Sequence, residues 1–89
     1  MDTARLARQT KYSGPGSSED FSIQSRLGRR LRELRYQRNW TQLRMAEDFG
    51  IDRAFLSDVE RGRKAVSLRT LEVLALGMRM TISDLLDGI

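Results

Sequence analysis

The chain of 89 residues contains no cysteine and no histidine. Without cysteine there is no disulfide framework and no thiolate metal site. Without histidine the commonest metal ligand and the commonest general base are both missing. No apolar run approaches the ~20 residues that a membrane-spanning helix needs, and no secretory leader is visible. Aspartate and glutamate are present but scattered, so no nucleophile–base pair and no metal cluster can be assembled. No cofactor is implied, and an enzyme is not expected. What remains is a small cytoplasmic protein with no membrane partner. Its length allows one compact domain with little apolar surface to spare.

Charge is present in one sign more than the other, with a net +4. Residues 1–20 hold three basic and three acidic side chains and are neutral. Residues 21–89 hold 13 basic and nine acidic side chains, so they carry all of the excess. A small basic domain suits a polyanion. Residues 1–20 read as an arm outside the core. Ser13 to Asp20, SGPGSSED, combines turn formers with polar residues and buries nothing useful. Three readings stand for this arm: a flexible tail, a minor-groove arm using Arg5, Arg8 and Lys11, or a strap on a partner subunit.

From residue 21 onward the pattern is helical. Ile23, Leu27, Leu31 and Leu34 recur at four, four and three residues, which predicts a first helix from near Ser22 to near Asn39. Six arginines surround this stripe: Arg26, Arg29, Arg30, Arg32, Arg35 and Arg38. Arg35 follows the stripe closely. Trp40 falls at the corner after the helix and is expected to pack in the core.

The stretch Thr41 to Gly62, TQLRMAEDFGIDRAFLSDVERG, organises the rest. Thr41 is a good N-cap, because its hydroxyl can accept from an early orphan N–H. Met45, Ala46 and Phe49 then share a helical face. Gly50 can take the left-handed conformation that stops a helix, and Ile51 can drop into the core. Asp52 is a second N-cap, Leu56 and Val59 form the buried face of the next helix, and Gly62 ends it. Small Ala46 lets the two helices cross closely. This is the helix-turn-helix plan, whose second helix lies in the DNA major groove.

Ser67 is expected to cap a fourth helix with Leu68, Leu71, Leu74 and Ala75 facing inward. Thr81 caps a fifth, with Leu85 and Leu86 apolar. The fold class is therefore all-α, a five-helix bundle with a helix-turn-helix over residues 21–89. Leu76, Ile82 and Ile89 are apolar residues that one five-helix core does not absorb, and they suggest a subunit interface.

Thr41-Gln42, Ala46, Gly50-Ile51 and Glu60-Arg61-Gly62 resemble the motif of the phage repressor/Cro-type (XRE) family of helix-turn-helix regulators. Asp52-Arg53 with Phe55 and Ser57 is similar to the branch that holds the controller proteins of restriction–modification systems. The resemblance covers roughly residues 25–86. It implies that Arg35 pairs, largely buried, with Glu60 as a structural ion pair. It also implies that Gln42 clamps a DNA phosphate. The chain departs from the family at three places. Trp40 stands where an aliphatic residue is usual. Val66 stands where proline is frequent, which implies a less rigid approach to the fourth helix. Arg79 stands where glycine is frequent, and arginine is disfavoured at positive φ, so the end of the fourth helix is left open.

An operator reader needs phosphate contacts for position and base contacts for sequence. Gln42 opens its helix, where its side chain and the N-terminal N–H groups can meet a phosphate, with Thr41 beside it. On the following helix Arg53 lies at the end that enters the groove deepest, and its fork can bond guanine O6 and N7 together. Ala54 can touch a thymine methyl, and Ser57 can reach a base or a phosphate. Phe55 either packs on sugar and thymine methyls or joins the core. Asp58 either accepts from cytosine N4 or buttresses Arg53 or Arg61. Arg61, Arg63 and Lys64 are placed for the backbone beyond the helix. The expected function is a homodimeric, sequence-specific regulator on double-stranded DNA, acting by blocking or recruiting RNA polymerase. The rival is an antitoxin-type protein-interaction module that also binds its own operator.

Overall fold

A computed structural model describes residues 22–89. The arm of residues 1–20, with Arg5, Arg8 and Lys11, lies outside the described residues. Five helices follow in order: α1 (Ile23–Gln37), α2 (Gln42–Phe49), α3 (Arg53–Glu60), α4 (Leu68–Gly77) and α5 (Ile82–Leu85). No strand occurs among the described residues.

Every helix starts on a side-chain cap. Ser22 Oγ accepts from the Ser25 N–H, and Thr41 Oγ1 from Arg44. Asp52 Oδ1 accepts from Ala54, Ser67 Oγ from Thr70, and Thr81 Oγ1 from Asp84. Such caps contribute about 1 kcal/mol each. The helix ends share a second device. Asn39, Gly50, Gly62 and Arg79 have φ of 58°, 68°, 74° and 58°. The residue after each sends its N–H back five positions: Trp40 to Arg35, Ile51 to Ala46, Arg63 to Asp58 and Met80 to Ala75. This is the Schellman arrangement, in which an apolar residue past the stop commonly folds back on the helix. Trp40, Ile51 and Met80 do so and pack against the core. Arg79 adopts the left-handed conformation despite its side chain, so α4 ends at Gly77 with Met78 as its cap.

The core is a single cluster fed by all five helices, with Leu31, Met45, Leu56, Val59, Leu74 and Leu85 fully buried. Burying one such side chain contributes roughly 1.5–3 kcal/mol. Gly28 makes the crossing of α1 over the end of α3 possible. A Cβ at Gly28 would lie 2.5 Å from the carbonyl oxygens of both Val59 and Glu60. Phe49 leans on Gly77 and meets Trp40 edge to face, with centroids 5.8 Å apart.

Two expectations from periodicity, and one about surplus apolar surface, are corrected. Ile23 is 61% exposed and Leu68 is 79% exposed. Both occupy the first position of their helices, ahead of the first buried residue of each, Leu27 and Leu71. Ile89 does not stand out as surplus apolar surface; it is half-buried against the protein's own core. Leu76 and Ile82 are exposed, at 69% and 38%.

Candidate nucleic-acid interface

The helix-turn-helix is locked from behind by one buried carboxylate. Glu60, on the inward side of α3, accepts from Arg35 Nε at 2.7 Å and from Arg35 Nη2 at 2.9 Å. This bidentate geometry is the strong form of a charge-assisted pair. Arg35 Nη1 also donates to the Trp40 carbonyl at 2.9 Å, which ties the pair to the corner before α2. The hydrogen bond to Glu60 holds the guanidinium above its usual pKa, although burial works in the opposite direction. Glu60 has two further neighbours. Gln42 Nε2 donates to its Oε1 at 3.0 Å, and Arg32 Nε lies 3.8 Å from the same oxygen. One carboxylate thus joins α1, α2 and α3.

The opposite side of α3 is open. With Leu56 and Val59 buried, 3.6 residues per turn place Ala54, Asp58 and Arg61 on the outward side. Arg53 and Ala54 are exposed, and Ser57 is half-buried. The Arg53 guanidinium has no hydrogen bond or ion pair among the described residues. It lines an open depression with Tyr36, Gln42 and Leu43, so the start of α3 lies beside the start of α2. Arg61 and Arg63 are exposed as well.

Asp58 does not buttress Arg53 or Arg61. Its Oδ2 lies 3.6 Å from Lys64 Nζ, across the loop that follows α3. The same ammonium stands 5.9 Å from the centroid of Phe55. Phe55 itself is half-buried against the core, so its ring serves both core and loop. Thr41 Oγ1 accepts the capping hydrogen bond of α2, and its O–H proton and the backbone N–H remain as donors that can face a ligand.

Several arginines in α1 and at its C-cap have structural partners that periodicity does not reveal. Arg30 donates to the carbonyls of Leu85 and Asp84, at 3.2 and 2.9 Å, and so closes the end of α5. Arg26 reaches the carbonyl of Ile89, and Arg38 those of Leu34 and Met78. These three arginines hold the C-terminal part of the fold against α1. The grip of Gln42 on Glu60 and that of Lys64 on Asp58 are likewise invisible in the sequence, because each joins separate elements.

A capped helix, a left-handed turn and a second helix locked across it define a helix-turn-helix domain. The chain belongs to the family described as "Helix-turn-helix domain", which matches residues 26–86. It is 44% identical over 64 residues to the HTH-type transcriptional regulator DdrOP3 of Deinococcus deserti, across 72% of this chain and 50% of that protein. The chain therefore spans half the length of that regulator. It is 34% identical to the control protein C.MunI of Mycoplasma sp., across 75% of this chain and 92% of that one. The crystal structure of the restriction-modification controller protein C.AhdI from Aeromonas hydrophila superposes with a TM-score of 0.67 at 35% identity. That match covers 70% of this chain and 94% of the other. No helix among the described residues is long and apolar enough to cross a membrane.

Proposed function

We propose that this chain is a sequence-specific DNA-binding transcription regulator that acts as a homodimer on a near-palindromic operator. The observation that carries the reading is the sidedness of α3. Its inner side is fixed to α1 and α2 through Glu60, and its outer side offers Arg53, Ala54, Ser57, Asp58 and Arg61 to a partner. A rigid helix with unpartnered donors at its tip is what base readout requires. Arg53 is assigned to a guanine, Ala54 to a thymine methyl and Ser57 to a base or phosphate. The backbone N–H groups at Thr41 and Gln42, with Arg61 and Arg63, are assigned to phosphates.

Gln42 needs a qualification of mechanism. One of its amide N–H groups is held by Glu60. The second N–H on the same nitrogen remains for a phosphate, so the clamp and the buried pair act through one side chain. Exposed Leu76 and Ile82 are assigned to the subunit interface. Regulation follows from occupancy: the bound dimer excludes or recruits RNA polymerase according to where the operator lies, in the cytoplasm.

A binding selection on random duplexes tests the reading. The expected product is a set of related sequences with two inverted half-sites. Recovery of unrelated duplexes would remove sequence specificity, and recovery of single half-sites would remove the dimer.

A further inference from the structure

The outward side of α3 carries a carboxylate near its middle. Asp58 is neither a cap nor a strut of the fold: Asp52 caps α3, and Glu60 makes the internal pair. Its one charged partner among the described residues is Lys64, at 3.6 Å, with the lysine side chain 55% exposed and that of Asp58 30% exposed. A carboxylate facing a polyanion is repelled by it, so this charge has an effect chiefly when the partner arrives.

We propose that Asp58 is a specificity-determining residue that acts by exclusion, with Lys64 as its exchangeable counter-charge. The inference rests on the DNA-reading role of α3. An ionised carboxylate accepts hydrogen bonds and never donates. In the major groove cytosine N4 and adenine N6 donate, whereas guanine O6 and N7 and thymine O4 accept. Opposite a donor edge, Asp58 gains a charge-assisted hydrogen bond. Opposite an acceptor edge, it is a desolvated charge facing like polarity. Lys64 sharpens the difference. A pair this exposed is weak. When Asp58 finds a donor base, Lys64 Nζ is released to a phosphate. When it does not, Lys64 stays on Asp58 and that phosphate contact is not made. The operator therefore gains a contact that other sequences do not.

The test uses the full chain and its Asp58→Asn, Asp58→Ala and Lys64→Ala variants. Each is titrated with the duplex selected by the unmodified protein and with a scrambled duplex of equal length, over a range of salt. Both Asp58 variants should bind scrambled DNA about tenfold more tightly while the selected duplex changes less than about threefold. Asp58→Asn should also widen the preference at one symmetric base pair, because an amide both donates and accepts. Lys64→Ala should lower the salt slope on the selected duplex by about two, one for each subunit of the dimer, and leave the slope on the scrambled duplex unchanged. Equal proportional changes on both duplexes, or an unaltered base preference, would overturn the proposal and reduce Asp58 to a contributor of net charge. An unmodified protein that selects no sequence overturns the DNA reading and this inference together. A clear operator with an unaltered ratio in Asp58→Asn overturns the inference alone.

Discussion

Asp58 and Glu60 are acidic residues two positions apart on one helix, and they face opposite ways. The Glu60 side chain is fully buried and takes two hydrogen bonds from Arg35 and one from Gln42. Asp58 is partly exposed and has one loose partner at 3.6 Å. Local charge pattern alone makes the two nearly equivalent, since each has basic residues nearby; only the family resemblance singles out Glu60. Burial separates them. A buried charge must be paired and fully hydrogen-bonded or it destabilises the fold, whereas a surface pair is screened and worth little. The inner side of α3 is therefore a structural joint, and the outer side is free to be chemistry.

The comparison is broken most severely at the joint. Arg35→Ala or Glu60→Ala leaves the other charge buried without its partner and should destabilise by about 3–5 kcal/mol. In a domain of this size that lowers the melting temperature by roughly 15 °C or more. Thermal unfolding followed by circular dichroism checks it; an unchanged melting temperature would mean that the pair does not hold the fold. Glu60→Ala should also weaken phosphate contact by releasing Gln42.

The outward surface away from α3 should respond in association, not folding. Leu76→Glu or Ile82→Glu is expected to give a folded monomer whose operator binding falls about a hundredfold, since two half-sites are no longer engaged by one particle. Light scattering and a binding titration read the two effects separately. A monomer at high micromolar concentration for the unmodified protein would remove this expectation.

A smaller effect sharpens the inner side. Alanine is the better helix former, so propensity alone predicts that Gly28→Ala stabilises by about 1 kcal/mol. The carbonyls of Val59 and Glu60 predict the reverse, because the new Cβ lies 2.5 Å from each. Gly28→Ala should destabilise by about 1–3 kcal/mol as α1 is pushed off α3. A higher melting temperature would show that the crossing relaxes freely. The smallest effect belongs to the outer carboxylate: Asp58→Ala or Lys64→Ala should change stability by less than about 1 kcal/mol.

Much of the fold was legible in the residues. Thr41, Asp52, Ser67 and Thr81 are cap types followed by apolar periodicity, and each caps the helix it announces. Leu27, Leu31 and Leu34 are the buried stripe of α1. Ile23 and Leu68 misled, because periodicity assigns a face but does not say where the neighbouring element stops. Ile89 looks like surplus in the sequence for a related reason: nothing in its immediate sequence shows which core lies beneath it. Gly28 carries a signal of its own. A glycine inside a strong helical pattern costs about 1 kcal/mol against alanine and calls for a packing reason. At the interface, Arg53 and Ala54 are exposed as their spacing suggests, and Ser57 is half-buried. Lys64 as the partner of Asp58 depends on how the loop after Gly62 returns, and no local rule specifies that path.

On the proposed function, the outer side of α3 reads bases, with Arg53 at its tip. The direct measurement is a binding series over all four bases at every half-site position, for the unmodified protein and for Arg53→Ala. Arg53 makes no ion pair or hydrogen bond among the described residues, so its removal should leave the melting temperature and the salt slope nearly intact. It should lose about 1–3 kcal/mol per half-site and relax the preference at one symmetric base pair, where guanine is expected. If Arg53→Ala keeps every base preference and weakens all duplexes alike, Arg53 is a phosphate contact and the account of base reading is wrong.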